Sequence, residues 1–123
     1  MNLYFFGYYD QTRMTDENAG GQQVGQDDID LTEWVLGFEI RVDGNMVGAI
    51  EGEPGTIEYF TVNPKAEYQH LKQAALNEFI NLSQDHGATE IVTSGLMEPS
   101  VIPTLEAEGF EERSNETGWV KEI

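Results

Sequence analysis

The stretch Thr56-Ile-Glu-Tyr-Phe-Thr-Val62 runs through Asn63-Pro64 into an unbroken helical repeat that lasts to His86, just before Gly87. Its first seven residues are rich in β-branched and aromatic side chains and read as a strand. Beyond them Tyr68, Leu71, Ala75, Phe79 and Leu82 recur at steps of three and four, and Leu76 and Ile80 widen the stripe, so one face of a long helix is apolar. Asn63 is a good cap, Pro64 fits the first helical position because its missing N–H is not needed there, and Gly87 is a natural stop. The spacing predicts a strand, a turn and one helix over 64–86, and the remaining elements have to fit around that unit.

Upstream, Leu36, Phe38, Ile40 and Val42 alternate with Gly37, Glu39, Arg41 and Asp43, the period of a half-buried strand. Asp43-Gly44-Asn45 supplies the positive φ values of a tight hairpin. Residues 46–51 return as the partner, and Glu53-Pro54-Gly55 leads into Thr56–Val62, which predicts a three-strand antiparallel meander. Downstream, residues 88–94, centred on Ile91 and Val92, form a strand reached by a helical crossover and therefore expected parallel to Thr56–Val62. Residues 100–108 offer a short helix weakened by Pro103 inside it, and 110–113 and 117–121 are closing strands. Near the start, the aromatic run 2–9 reads as a first strand and 10–26 as a flexible loop with Gly20, Gly21 and Gly25. Residues 27–34 read as a helical turn or short helix capped by Asp27 or Asp28. The expected fold class is α+β, a mixed, largely antiparallel sheet with one long and one short helix, in a single domain over 1–123.

Charge narrows the partners. Twenty-three acidic residues against six basic ones give a formal charge of -17, a field that repels phosphates and anionic lipids. No direct nucleic-acid contact and no membrane contact are therefore expected. Three readings of the acidity stay open: a solvated surface adapted to high salt, a docking surface for a basic partner, or a mimic of nucleic-acid phosphates that blocks a DNA-binding protein. The absence of cysteine removes disulfides and thiolate chemistry. No apolar run approaches the roughly 20 residues of a membrane span, and Met1-Asn-Leu-Tyr-Phe-Phe has no basic leader, so an intracellular, cytoplasmic protein is expected. Asp27, Asp28, Asp30 and Glu33 lack the ligand alternation of a calcium loop, and His70 and His86 have no ligand-spaced partner, so no metal site is expected.

The order of a meander, a long helix, a parallel strand, a short helix and a closing hairpin resembles the Gcn5-related N-acetyltransferases, the GNAT family. Ile57-Glu-Tyr-Phe-Thr-Val-Asn-Pro64 is similar to the family's fourth strand and the Val-x-Pro after it. Glu106-Ala-Glu-Gly-Phe-Glu-Glu112 is similar to its Glu-Lys-Leu-Gly-Phe segment before the last hairpin. The resemblance implies acetyl-CoA lying between two splayed parallel strands. Its pyrophosphate would rest on backbone N–H groups of a loop, Arg/Gln-x-x-Gly-x-Gly/Ala, that opens the long helix. Counted from Pro64, the defining positions fall on Glu67, His70 and Lys72; in a shifted register Gln69 and Ala74 take the first and last, and Lys72 stands at the first glycine. A helix begun at Pro64 would commit most of the phosphate-binding amides to its own hydrogen bonds.

On that resemblance, Lys65, Gln69, His70 and Lys72 are the candidate cofactor-binding residues and Glu58 the candidate catalytic base. Leu105 occupies the place of the family's tyrosine acid, and Glu98 falls near a frequent asparagine. The helix pair that shapes the acceptor pocket is absent or shrunk to 27–34. Compact GNAT-like proteins occur in phage and viral genomes, including among virion-associated proteins, so a virion location is implied beside the cytoplasmic one. The resulting expectation is a non-catalytic GNAT-like binding or structural module that meets a protein partner or a second copy, with no cofactor. The alternative is an acetyl-CoA-dependent N-acetyltransferase acting on a cationic amine, and the third reading is the acidic nucleic-acid mimic.

Overall fold

The computed structural model describes residues 22–66 and 68–123. The predicted strand over 2–9 and most of the predicted loop over 10–26 lie outside the described residues. In chain order the elements are β1 (Gln22–Gln23), β2 (Asp30–Trp34), β3 (Gly37–Val42), β4 (Asn45–Glu53), β5 (Thr56–Val62), β6 (Tyr68–Gln69), α1 (Leu71–Asp85), β7 (Glu90–Thr93), α2 (Ile102–Ala107), β8 (Glu111–Glu112) and β9 (Trp119–Glu122). Seven strands form one mixed sheet in the order β2-β3-β4-β5-β7-β9-β8, and β1 and β6 form a small parallel ladder of their own. The pairing of β5 with β7 is parallel, as the crossover through α1 predicts. Among the described residues the fold is α+β, with a largely antiparallel sheet, one long helix and one short one.

The meander has four strands rather than three. The helix expected over 27–34 is confined to a 3-10 turn at Gln26–Asp28, where Asp28 Oδ2 accepts the Gly25 N–H at 2.9 Å. Residues Asp30 to Trp34 leave that turn as β2 because each finds a register partner on β3, from Asp30 opposite Arg41 to Trp34 opposite Gly37. A ladder of backbone bonds outweighs the weak helical preference of so short a segment. Leu36, predicted as the first inward residue of the strand, sits with Val35 in the turn between β2 and β3 and is exposed. Phe38, Ile40 and Val42 face the core as their spacing demands. Asp43 and Gly44, with φ of 53° and 82°, make the predicted tight turn into β4.

An irregularity in β5 sets the phase of the core. Gly52 of β4 pairs with Ile57 and Glu51 pairs with Tyr59, so Glu58 has no opposite residue and forms a β-bulge. A Cβ on Gly52, whose φ is 137°, would stand 2.1 Å from the Thr56 carbonyl oxygen, so only glycine fits opposite the bulge. One extra residue reverses the facing of those that follow. Ile57 and Phe60, three apart, therefore both point inward and are fully buried. They join Phe38, Ile40, Ile50 and Ile91 beneath the Leu71, Ala75, Leu76 and Phe79 face of α1. Phe79 meets Phe38 edge-on, with ring centroids 5.9 Å apart. The buried Ser83 fastens α1 to the β4–β5 turn by accepting the Gly55 N–H at 3.0 Å.

The long helix begins at Leu71, not at Pro64. Asn63 caps only a turn: its Oδ1 accepts the Lys65 N–H at 2.9 Å and its carbonyl accepts the Ala66 N–H at 2.9 Å. Tyr68, expected on the helical stripe, and Gln69, expected within the same helix, pair instead with Gln22 and Gln23. The Val24 N–H continues that ladder to the Gln69 carbonyl at 3.1 Å, and the Val24 side chain is buried. His70 is left-handed (φ 64°, ψ 20°), a conformation that cannot continue into a right-handed helix. Helical spacing alone could not reveal this, because the competing partner is more than forty residues upstream in the sequence. The expected weakening of α2 by Pro103 does not arise, since Pro103 sits in its first turn, where no N–H partner is missing. No described helix is long and apolar enough to cross a membrane.

Two ion pairs are present among the described residues, Arg41 with Glu39 and Arg113 with Glu116, so most of the acidic excess is uncompensated. The register also sets Glu90 of β7 directly opposite Glu122 of β9. Like charges facing each other across an antiparallel ladder repel, and salt screens them. Glu122→Lys is expected to raise the urea midpoint at low salt by about 0.3–0.5 M, and the gain should shrink in about 1 M salt.

Candidate functional site

β5 and β7 are paired at two positions, Thr56 with Val92 and Ile57 with Thr93. The Ile57 carbonyl accepts the Ser94 N–H at 2.9 Å, and the Glu58 carbonyl accepts the Ser94 hydroxyl at 2.7 Å. Two successive carbonyls directed at one neighbour break the alternation of a regular strand. The bulge thus ends the pairing, and the Ser94 hydroxyl satisfies the carbonyl that the β7 backbone no longer reaches. β7 stops at Thr93 while β5 continues to Val62, and the two chains part. A cleft of about 540 Å3 opens there, lined by the end of β5, the start of α1 and the segment that follows β7. Its place beyond the carboxyl ends of two parallel strands is where open sheets bind ligands, and its volume suits a small organic molecule.

One wall is cationic. The first turn of a helix leaves its N–H groups without intrahelical acceptors, and His70 supplies no side-chain cap to α1. Leu71, Lys72 and Gln73 of that first turn line the cleft, together with His70. The positive end of α1 and two basic side chains therefore border the same space. The half-buried Glu98 lines the same cleft. Its Oε2 accepts long hydrogen bonds from the Tyr59 hydroxyl at 3.4 Å and the Thr61 hydroxyl at 3.3 Å, and its Oε1 accepts one from Ser100 at 3.1 Å. Desolvation, then the Glu98 charge and the hydrogen bond to it, and last Glu51, push the Tyr59 phenol above its ordinary pKa. It stays a neutral donor to Glu98.

The structure brings together His70 and Lys72 of the residues singled out from sequence. Lys65 and Gln69 are exposed and outside the lining; Gln69 is occupied in β6. Glu58 is exposed at the bulge and also outside the lining, so its backbone rather than its carboxylate shapes the cleft. Glu67 lies outside the described residues. Sequence reasoning missed Tyr59, Thr61 and Ser100 as partners of Glu98. The available signal was their two-residue spacing, Tyr59 with Thr61 and Glu98 with Ser100, but nothing in the chain shows that the two pairs converge. Among the described residues no group of His, Asp and Glu is arranged to hold a metal ion. No family model, curated protein or solved structure matches the chain.

Because the folded state raises the Tyr59 pKa, the stability it contributes is present below the ordinary phenol value of about 10 and is lost as pH rises through the higher folded value. Glu98→Gln removes one of the charges responsible. Titration of phenolate absorbance is expected to show Tyr59 ionising at lower pH in that variant than in the parent.

Proposed function

We propose that the chain is a GNAT-like binding module whose β5–β7 cleft holds a phosphorylated ligand of the acyl-CoA kind without efficient acyl transfer. The observation that carries this reading is the late start of α1. With the helix beginning at Leu71, the N–H groups of its first turn have no intrahelical acceptor and are offered to an anion beside His70 and Lys72. At the phosphate loop the fit departs from the family. Lys72 stands where the resemblance places a glycine, so its ammonium supplies part of what bare backbone supplies in the family.

Two observations favour binding over catalysis. Leu105, at the place of the family's tyrosine acid, is fully buried and presents no proton donor to the cleft. Residues 27–34, where a remnant of the acceptor-shaping helices was expected, form the 3-10 turn and β2. The uncompensated carboxylates suit a salt-adapted setting, and the small form of the domain suits a phage or viral source, with a virion-associated role.

Calorimetric titration with CoA at high salt tests the proposal. Binding in the micromolar range is expected, weakened at least tenfold by Lys72→Glu, with no acetylation of a polyamine above background. Absence of CoA binding would remove the ligand assignment, and rapid acetylation would remove the non-catalytic one. A second reading, an amine N-acetyltransferase, is favoured by Glu98 alone: its carboxylate lines the cleft and would take the amine proton, a role for which the sequence nominated Glu58. In that case Glu98→Gln abolishes turnover and leaves CoA affinity unchanged.

A further inference from the structure

At the other end of the sheet, the turn from β2 to β3 exposes three consecutive large apolar side chains, Trp34 at 40%, Val35 at 93% and Leu36 at 53%. A groove of about 310 Å3 beside them is lined by Trp34, Val35, Phe38 and Pro54 and rimmed by Glu33 and Glu53. The backbone here is fixed rather than frayed. Trp34 pairs with Gly37, and the Leu36 carbonyl accepts the Gly52 N–H at 2.9 Å. Gly37, at φ 155°, packs so closely that a Cβ would lie 2.3 Å from the Ile50 carbonyl oxygen. The groove adjoins the Thr56 end of β5 and the cleft adjoins the Val62 end, roughly 20 Å away along a seven-residue strand.

We propose that this face docks a basic segment of a partner protein. An apolar side chain of the partner enters the groove beside Trp34, and lysines or arginines flanking it meet Glu33 and Glu53. An exposed, rigidly held tryptophan inside a polar rim has the anatomy of an interaction hot spot. Charge selects the occupant. Among the described residues the groove has acidic but no basic lining residues, and it sits on a chain of net charge -17. A second copy would bring the same glutamates and the same net charge against it, whereas a cationic segment is drawn in and steered.

The probe is a synthetic peptide with two adjacent leucines flanked on each side by two lysines, compared with an equally charged peptide in which both leucines are serine. Both are titrated against the full chain at about 0.15 M salt, with tryptophan emission and calorimetry as readouts. The leucine peptide is expected to bind at least tenfold more tightly and to shift the Trp34 emission to the blue. The double variant Trp34→Ser, Val35→Ser should abolish the difference between the peptides, and Glu33→Gln with Glu53→Gln should weaken both. CoA affinity should be unchanged in all of these variants, since the cleft is distant. Equal affinity for the two peptides would overturn the proposal by reducing the effect to net charge. So would a preference that survives the Trp34 and Val35 changes. Concentration-dependent self-association abolished by the same double variant would also overturn it, by making a second copy the occupant.

Discussion

The slip of register at Glu58, where β5 carries one residue more than β4 can pair, sets the phase of everything around it. It lets Ile57 and Phe60 both face α1, so the centre of the core is filled by two large side chains that a regular strand would send to opposite faces. The same slip turns β5 away from β7 after the Ile57–Thr93 pair. Core packing and the opening of the cleft are thus two consequences of one backbone event. Gly52 makes that event possible from the β4 side, and the Ser94 hydroxyl satisfies the carbonyl it displaces.

A second constraint completes the cleft. Holding a non-glycine residue in the left-handed region costs on the order of 1 kcal/mol, yet His70 is held there between the β1–β6 ladder and the first bond of α1, Ala74 N–H to the His70 carbonyl. That arrangement stops the helix from extending back to Pro64. The Leu71, Lys72 and Gln73 amides without intrahelical acceptors are its consequence, and with Glu98 they give the cleft both positive and negative lining groups. The long-range field of the chain repels anions, whereas the amides at the start of α1 and the Lys72 ammonium act at contact distance.

Much of the fold was legible in the sequence. The period-two run from Phe38 to Val42, the Asp43-Gly44 turn, the apolar stripe from Leu71 to Ile80 and the crossover to a parallel β7 all follow from local pattern, and the structure bears them out. The rest depended on distant partners. Asp30–Trp34 looks like a capped helical turn until β3 lies beside it, and Pro64 looks like a helix start until Gln22–Gln23 pairs with Tyr68–Gln69. The bulge at Glu58 left a faint trace, apolar residues three apart inside a strand, but a single such spacing is indistinguishable from noise. For the site, the basic residues were visible and the Tyr59–Thr61–Glu98–Ser100 convergence was not, because hydroxyls two apart on separate segments carry no joint signature.

Backbone chemical shifts and cross-strand contacts over residues 56–72, measured by NMR, test the account most directly. The bulge and the late helix start predict extended shifts through Val62, extended shifts again at Tyr68 and Gln69, a positive-φ signature at His70 and helical shifts from Leu71 onward. They also predict that contacts between β5 and β7 stop at Ile57 and Thr93. Helical shifts running continuously from Pro64, or regular pairing of Tyr59 through Val62 with the residues after Thr93, would contradict it.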